Sequence, residues 1–128
     1  ETGKVKFVLR PFIRNLQDAV VFLLAYAAGE EKYHDVLDTY FKTQASWGMA
    51  EKQRTALLDV AKQLGFTEEA FDAALADEDL FAKLQEMQKQ ASEEFALSGT
   101  PTFYVNGKQL TGEKTLDELK AAIDPLLS

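Results

Sequence analysis

The order of strand-like and helix-like segments constrains this chain more than any other feature. Residues 4–10 first alternate between polar and apolar side chains and then form an apolar run, which predicts a strand. Pro11 ends this strand, because proline lacks a backbone donor. The next strand-like residues are 102–111, and the interval between is helical in pattern. Strands joined by a helical crossover run parallel in one sheet. The order therefore predicts an α/β fold.

Five helices are predicted between the two strand regions. Their apolar residues recur at three- and four-residue spacing, which places them on one face of each helix. The predicted ranges are 18–28, 30–44, 51–64, 67–76 and a longer helix from Asp77 or Asp79 through Phe95, with Trp47 and Gly48 interrupting the pattern.

The last part of the chain predicts a hairpin followed by a helix. Asn106-Gly107 is a strong signal for a two-residue turn between strands 102–105 and 108–111. Thr115 and Glu118 have the spacing of a capping box at a helix start. The expected buried face of that last helix consists of Leu116, Leu119, Ile123 and Leu127.

Composition excludes several classes of function. The 128 residues suit one domain, and a formal net charge of −7 argues against a nucleic-acid-binding protein, which needs a basic surface. No apolar run reaches the roughly 20 residues of a membrane span. The absence of cysteine excludes a disulfide, a thiolate metal site and a cysteine nucleophile within this chain. The chain begins with Glu1, so we expect it to be processed, trimmed or cut from a longer protein.

Few side chains suggest catalysis or metal binding. His34 is the only histidine, and a single histidine does not make a typical metal site, so a solvated helix residue is the favoured interpretation. No metal or cofactor site is predicted. The aromatic residues of the helical block favour a core, with an apolar peptide groove as the alternative; they are Tyr40, Phe41, Trp47 and Phe66.

The segment 98–108 is the most informative one. A proline after a small-residue loop, at the start of a strand, can follow a cis peptide bond. A cis bond between Thr100 and Pro101 would leave the amide and carbonyl of Thr100 facing outward, free to pair with an extended peptide. A trans proline that only opens the strand is the alternative, and only about 5–6% of such bonds are cis.

The same segment resembles a known family. Residues 99–108, with Gly112 and the helix from Thr115, are similar to the C-terminal signature of the DsbA-like branch of the thioredoxin superfamily. Residues 4–12 resemble the strand before that family's helical insertion, and the resemblance covers essentially the whole chain. One departure is that Ile13, rather than proline, follows Phe12.

The resemblance implies a thioredoxin-like, DsbA-like fold with an inserted helical block. It implies a single domain over 1–128, with the sheet portion in 1–15 and 98–128 and the helical insertion and crossover helix in 16–97. The family's Cys-X-X-Cys lies on a strand–helix unit before the strand equivalent to 4–10, and this chain lacks that unit, so it has no catalytic residues of its own. The substrate-binding residues implied are Gly99, Thr100 and Pro101.

The resemblance implies that the strand missing from this chain lies between the strands equivalent to 4–10 and 102–106. Without it, those two strands would stand about 10 Å apart, twice the usual spacing. Three outcomes are open. An N-terminal segment of the same protein supplies the strand, a second chain supplies it in a strand-swapped dimer, or the sheet closes around the gap.

The leading functional hypothesis is a fragment or trimmed form of a DsbA-like thiol:disulfide oxidoreductase that acts on protein substrates. The family implies a periplasmic or exported protein, and this chain alone should be inactive. The alternative is a redox-inactive peptide-binding or chaperone-like module of the same fold. A glutathione transferase of the kappa type is a third candidate. It usually has Gly-Val-Pro, and this chain departs from that pattern at Thr100.

Overall fold

The structure is a computed structural model that describes residues 2–127. Within them lie seven α-helices and one two-stranded sheet. In chain order the elements are α1 (Leu16–Ala27), α2 (Tyr33–Lys42), α3 (Gln44–Trp47), α4 (Gln53–Gln63), α5 (Glu68–Leu75), α6 (Glu78–Glu93), β1 (Thr102–Val105), β2 (Lys108–Thr111) and α7 (Leu116–Ile123), followed by a 3-10 turn (Asp124–Leu126).

The chain divides into two compact units. The helical unit is Pro11–Gln88, and the hairpin unit combines the described residues up to Arg10 with those from Lys89 onward. The boundary falls inside α6, so this one helix contributes residues to both units.

The helical unit has a closed apolar core. α1 is central to it and contacts α2, α4 and α5, which is why five consecutive residues of α1, 21–25, are all buried. A helix that is apolar around most of its circumference is typical of a fully buried position. The largest fully buried side chains of the unit are Tyr40, Phe71, Leu24, Leu37, Leu84 and Val21.

Two aromatic residues that could have lined a peptide groove belong to this core. Tyr40 and Trp47 are 0% and 3% exposed, and their rings meet edge to face at 5.9 Å. The Tyr40 hydroxyl donates to the carbonyl of Leu57 at 2.7 Å, and the Trp47 indole donates to the carbonyl of Tyr40 at 2.9 Å. Buried aromatic residues with satisfied polar atoms are core residues. Phe41 is exposed, and Phe66 is half-buried.

Helix starts follow the capping residues read from the sequence. Thr67 accepts a hydrogen bond from the amide of Ala70, and Asp77 accepts one from the amide of Leu80. Thr115 and Glu118 form the predicted capping box at the start of α7. Side-chain oxygens at these positions satisfy amides that have no partner within the helix.

The predicted helix over 30–44 is divided in the structure. α2 begins only at Tyr33, because Gly29 has φ +87° and turns the chain after α1. α2 ends at Lys42, and the next residue, Thr43, donates its hydroxyl to the carbonyl of Thr39 at 2.7 Å. Such back-bonding competes with the helix and often bends it. A short α3 then ends at Trp47, where the sequence pattern broke.

The hairpin forms as predicted. Asn106 and Gly107 have φ +46° and +85°, the left-handed pair that a two-residue type I′ turn requires. The turn pairs Val105 with Lys108 and, two residues further along each strand, Phe103 with Leu110.

The prediction of a strand over 4–10 is wrong for this structure, and so is the parallel sheet built on it. Residues 5–10 are irregular, and the sheet of the described residues contains β1 and β2 alone. A strand exists only where a neighbour takes its amides and carbonyls, and residues 4–10 find no such neighbour between residues 2 and 127. The sheet does not close around the gap.

The expected buried face of the last helix is also not formed. α7 has no buried residue, and Leu116 is 67% exposed. The helix itself ends at Ile123, earlier than predicted, and Pro125 lies in the 3-10 turn that follows. An amphipathic helix needs a surface to cover, and the two-stranded sheet offers little. Of the described helices, none has the length and apolarity needed to cross a membrane.

We expect Tyr40→Phe to lower the free energy of unfolding by about 1 kcal/mol, because it removes a buried hydrogen bond to the Leu57 carbonyl. Urea unfolding followed by circular dichroism measures the change. Tyr26→Phe is the control, since Tyr26 is 39% exposed, and its effect should stay within about 0.5 kcal/mol.

The difference between wild type and Tyr40→Phe should also depend on pH. Burial raises the pKa of Tyr40 above its ordinary value of 10.0. The unfolded chain therefore loses this proton before the folded chain does, so the stabilising contribution of Tyr40 is complete below pH 10 and declines above it. A difference that widened above pH 10 would contradict this assignment.

Candidate functional site

The segment 96–101 connects α6 to β1, and it begins with a turn of fixed geometry. Ala96 has φ +52°, a left-handed conformation that is uncommon for a residue other than glycine. The amide of Leu97 donates to the carbonyl of Ala91 at 3.0 Å, a bond of the kind that closes a helix end. The chain therefore leaves α6 at a defined angle.

The three residues implied as substrate-binding lie together on this segment. Gly99, Thr100 and Pro101 are all exposed, and the peptide bond between Thr100 and Pro101 is cis. Over residues 2–127, neither the amide nor the carbonyl of Thr100 makes a hydrogen bond. An exposed backbone donor and acceptor on one residue are the groups through which an extended peptide can pair.

The residues on either side of Thr100 are, by contrast, held in place. The carbonyl of Pro101 accepts a hydrogen bond from the amide of Gly112 at 3.0 Å. The carbonyl of Gly99 accepts one from the hydroxyl of Thr102 at 2.6 Å. The free polar groups of Thr100 are thus presented between two anchored carbonyls.

The outer edge of β1 continues this unpaired surface. Residues beside a two-residue turn form a hydrogen-bonded pair, and such pairs alternate with non-hydrogen-bonded ones. Val105 and Phe103 therefore bond to β2, while the backbone groups of Thr102 and Tyr104 point away from it. Within the described part of the chain no other strand covers this edge. It is open to a further strand.

The hairpin unit also leaves large apolar side chains exposed. None of its described residues is buried, whereas every buried residue of the structure lies in the helical unit. The most exposed large apolar side chains of this unit are Val5 (54%), Phe7 (72%), Val8 (63%) and Leu116 (67%).

The titratable groups of the chain offer little for acid–base or nucleophilic chemistry at this loop. Burial raises the pKa of Tyr33 and Tyr40, which lie in the helical unit. The amide and hydroxyl of Thr115 lower the pKa of Glu118 by donating to its carboxylate, which belongs to a helix cap. His34 is exposed on α2 and contacts Tyr33 edge to face. Residues 2–127 contain no cluster of side chains suited to a metal ion.

Sequence reasoning did not single out Tyr104 or Gln109, which contact the start of this segment. The Tyr104 hydroxyl donates to the carbonyl of Phe95, and the side-chain amide of Gln109 donates to the carbonyl of Ala96. The Asn106-Gly107 turn predicts that these two residues lie opposite each other, but it does not predict that they reach the end of α6.

Comparison with known proteins gives a consistent result. Residues 1–125 match a protein-family model described as Thioredoxin. A protein of Rickettsia bellii named "Putative protein-disulfide oxidoreductase" is 30% identical over 128 residues, which are 97% of this chain and 48% of the relative. A similarly named protein of Rickettsia conorii is 28% identical over 99% of this chain and 46% of the relative. The chain thus spans about half the length of these curated relatives.

A solved structure has the same fold. A protein-disulfide isomerase from Novosphingobium aromaticivorans superposes with a TM-score of 0.75 at 23% sequence identity, over 92% of this chain and 72% of the other. The thioredoxin-like fold with a large helical part and a small sheet, expected from the sequence, is therefore confirmed.

The hydrogen bonds around the loop predict a contrast in amide exchange. After correction for intrinsic rates, the exposed and unbonded Thr100 amide should exchange at least about tenfold faster than the Gly112 amide, which donates to Pro101. Hydrogen exchange followed by NMR on the labelled chain measures both. Equal protection at the two amides would contradict this contrast, and slow exchange at both would show that the Thr100 amide has a partner.

Proposed function

Because the chain belongs to the thioredoxin family, we propose that it is part of a protein that exchanges disulfides in other proteins. In this proposal Gly99, Thr100 and Pro101 hold the backbone of the protein substrate. One observation carries it: the exposed amide and carbonyl of Thr100 have no partner among residues 2–127, although the loop around them is anchored.

The names of the relatives support the same class of activity, since the matched proteins of Rickettsia carry the name "Putative protein-disulfide oxidoreductase". Disulfide exchange requires a thiolate that attacks a disulfide sulfur, and this chain has no cysteine. We therefore assign the reacting thiols to a Cys-X-X-Cys segment outside these 128 residues. This chain supplies recognition of the substrate, and alone it is inactive in exchange.

The open edge of β1 supports a second part of the proposal. We assign its missing neighbour to an N-terminal segment of the same protein, because the apolar side chains of residues 5–9 and the unpaired backbone of Thr102 and Tyr104 all lack cover in the described chain. A strand from a second copy, in a swapped dimer, is the alternative occupant. We also propose an exported or periplasmic location, as the resemblance to DsbA-like proteins implies.

A redox-inactive peptide-binding or chaperone-like module of the same fold is the second candidate, and such a module would need no thiol outside these 128 residues. It would use the same Thr100 backbone, so peptide binding alone does not separate the two candidates. The thiol content of the complete protein does.

For the complete protein that contains this chain, we expect two titratable thiols after reduction and a mass several kilodaltons above 14.3 kDa. Intact mass under denaturing, reducing conditions and a thiol titration on the same sample measure both. The native complete protein, with oxidised glutathione as the oxidant, should re-form disulfides in a reduced, unfolded model protein. Absence of thiols would favour the redox-inactive candidate.

Peptide binding tests the substrate site itself. We expect the extended peptide Ac-Lys-Thr-Val-Ser-Val-Thr-Lys-NH2, whose lysines complement the net charge of −7, to shift the Thr100 amide resonance saturably. Thr100→Pro, which removes the backbone donor, should weaken binding about tenfold. Thr100→Val is the matched control, because it keeps the amide and the side-chain shape and should bind like the wild type. Equal losses in both variants would argue against recognition by the backbone.

A further inference from the structure

The hairpin reaches back to the end of α6 through two side chains. The Tyr104 hydroxyl donates to the carbonyl of Phe95 at 2.5 Å, and the Gln109 amide donates to the carbonyl of Ala96 at 3.2 Å and to the Tyr104 hydroxyl at 3.0 Å. α6 ends at Glu93, so these carbonyls lie just beyond it, where a helix can no longer supply amide donors. We call Tyr104 and Gln109, with these bonds, the clamp.

The clamp acts on the turn that leads into the candidate site. Tyr104 and Gln109 are a cross-strand pair of β1 and β2, so their side chains stand on the same face of the hairpin. They reach the two residues at which the chain changes direction, including Ala96 with its positive φ. The left-handed turn is thus bonded both to α6, through Leu97, and to the hairpin.

Ring contacts also fix Phe95, the residue whose carbonyl accepts the Tyr104 hydrogen bond. The Phe95 ring lies 6.1 Å from the Tyr104 ring, in a tilted arrangement, and Arg10 lies over Phe95 at 5.9 Å. The Arg10 guanidinium also donates to the side-chain carbonyl of Gln90 at 3.0 Å. Phe95 is therefore fixed through its backbone and through its ring. A variant that removes only the Tyr104 hydroxyl leaves the ring contacts in place.

We infer that Tyr104 and Gln109 are positioning residues for substrate binding, and that they act by fixing the start of the loop that carries Thr100. Only Leu97, Ser98 and Gly99 separate the clamped turn from Thr100, and hydrogen bonds to Gly99 and Pro101 anchor the loop's other end. A loop ordered before binding loses less conformational entropy when a peptide pairs with it. This inference rests on the proposed function of the loop.

The test compares Tyr104→Phe with the wild-type chain, using the lysine-flanked peptide described above. We expect a three- to tenfold weaker affinity, about the ordering cost of one side chain. Tyr26→Phe is the matched control, because Tyr26 and Tyr104 are 39% and 40% exposed and each has an aromatic ring partner. The control should bind like the wild type.

A second readout separates positioning from general stability. In Tyr104→Phe, the NMR order parameters of the Gly99 and Thr100 amides should fall, while the free energy of unfolding should change by less than about 0.5 kcal/mol, since the lost bonds are exposed. Gln109→Met, which removes the other donor, should have the same effects. The peptide affinity of the double variant should be no lower than that of the single variant with the lower affinity, because both residues stabilise the same turn.

The outcomes distinguish this inference from the proposed function. Unchanged order parameters and unchanged affinity in Tyr104→Phe, with peptide binding intact in the wild type, would overturn the clamp alone. A wild-type chain that does not bind the peptide would overturn the proposed site, and the clamp would then only terminate α6. A loss of affinity matched by an equal loss of folding stability would also overturn the inference.

Discussion

A helix satisfies its own backbone hydrogen bonds, whereas a strand depends on a neighbour, and this difference organises the whole molecule. The helical unit, Pro11–Gln88, closes its core with residues near in sequence. In the hairpin unit β1 and β2 have only each other as strand neighbours, so the outer edge of β1 and the unit's apolar side chains remain uncovered among the described residues. The exposed backbone of Thr100 and the uncovered edge of β1 both lie in this unit, whose strands have no further neighbour among residues 2–127.

The sequence predicted well the elements that are determined by residues within a few positions of one another. The caps at Thr67, Asp77 and Thr115 and the Asn106-Gly107 turn depend on residues within a few positions, and all formed as expected. The strand over 4–10 and the buried face of α7 depend on partners far away or outside the chain. Apolar alternation indicates what a segment can do, but it does not supply the neighbour.

The candidate site likewise contains residues that the sequence predicted and residues that it did not. Its central residues, Gly99 to Pro101, were found because their order resembles a family pattern, and the structure shows them exposed with Thr100 unpaired in the described chain. Tyr104 and Gln109 were missed because each is an ordinary strand residue by itself. Their contact with the end of α6 depends on hairpin register and helix position together, and no local pattern encodes that combination.

The two-residue length of the Asn106-Gly107 turn sets the strand register, and the register determines which side chain reaches the turn at Ala96. A turn of two residues sets Gln109 opposite Tyr104, and in a strand successive side chains point to opposite faces. A register shifted by one residue would place Lys108 or Leu110 opposite Tyr104, and the hydrogen bond from the Gln109 side-chain amide to Ala96 would be lost. The turn at the far end of the hairpin, through the register that it sets, thus helps to fix the angle of the loop that carries Thr100.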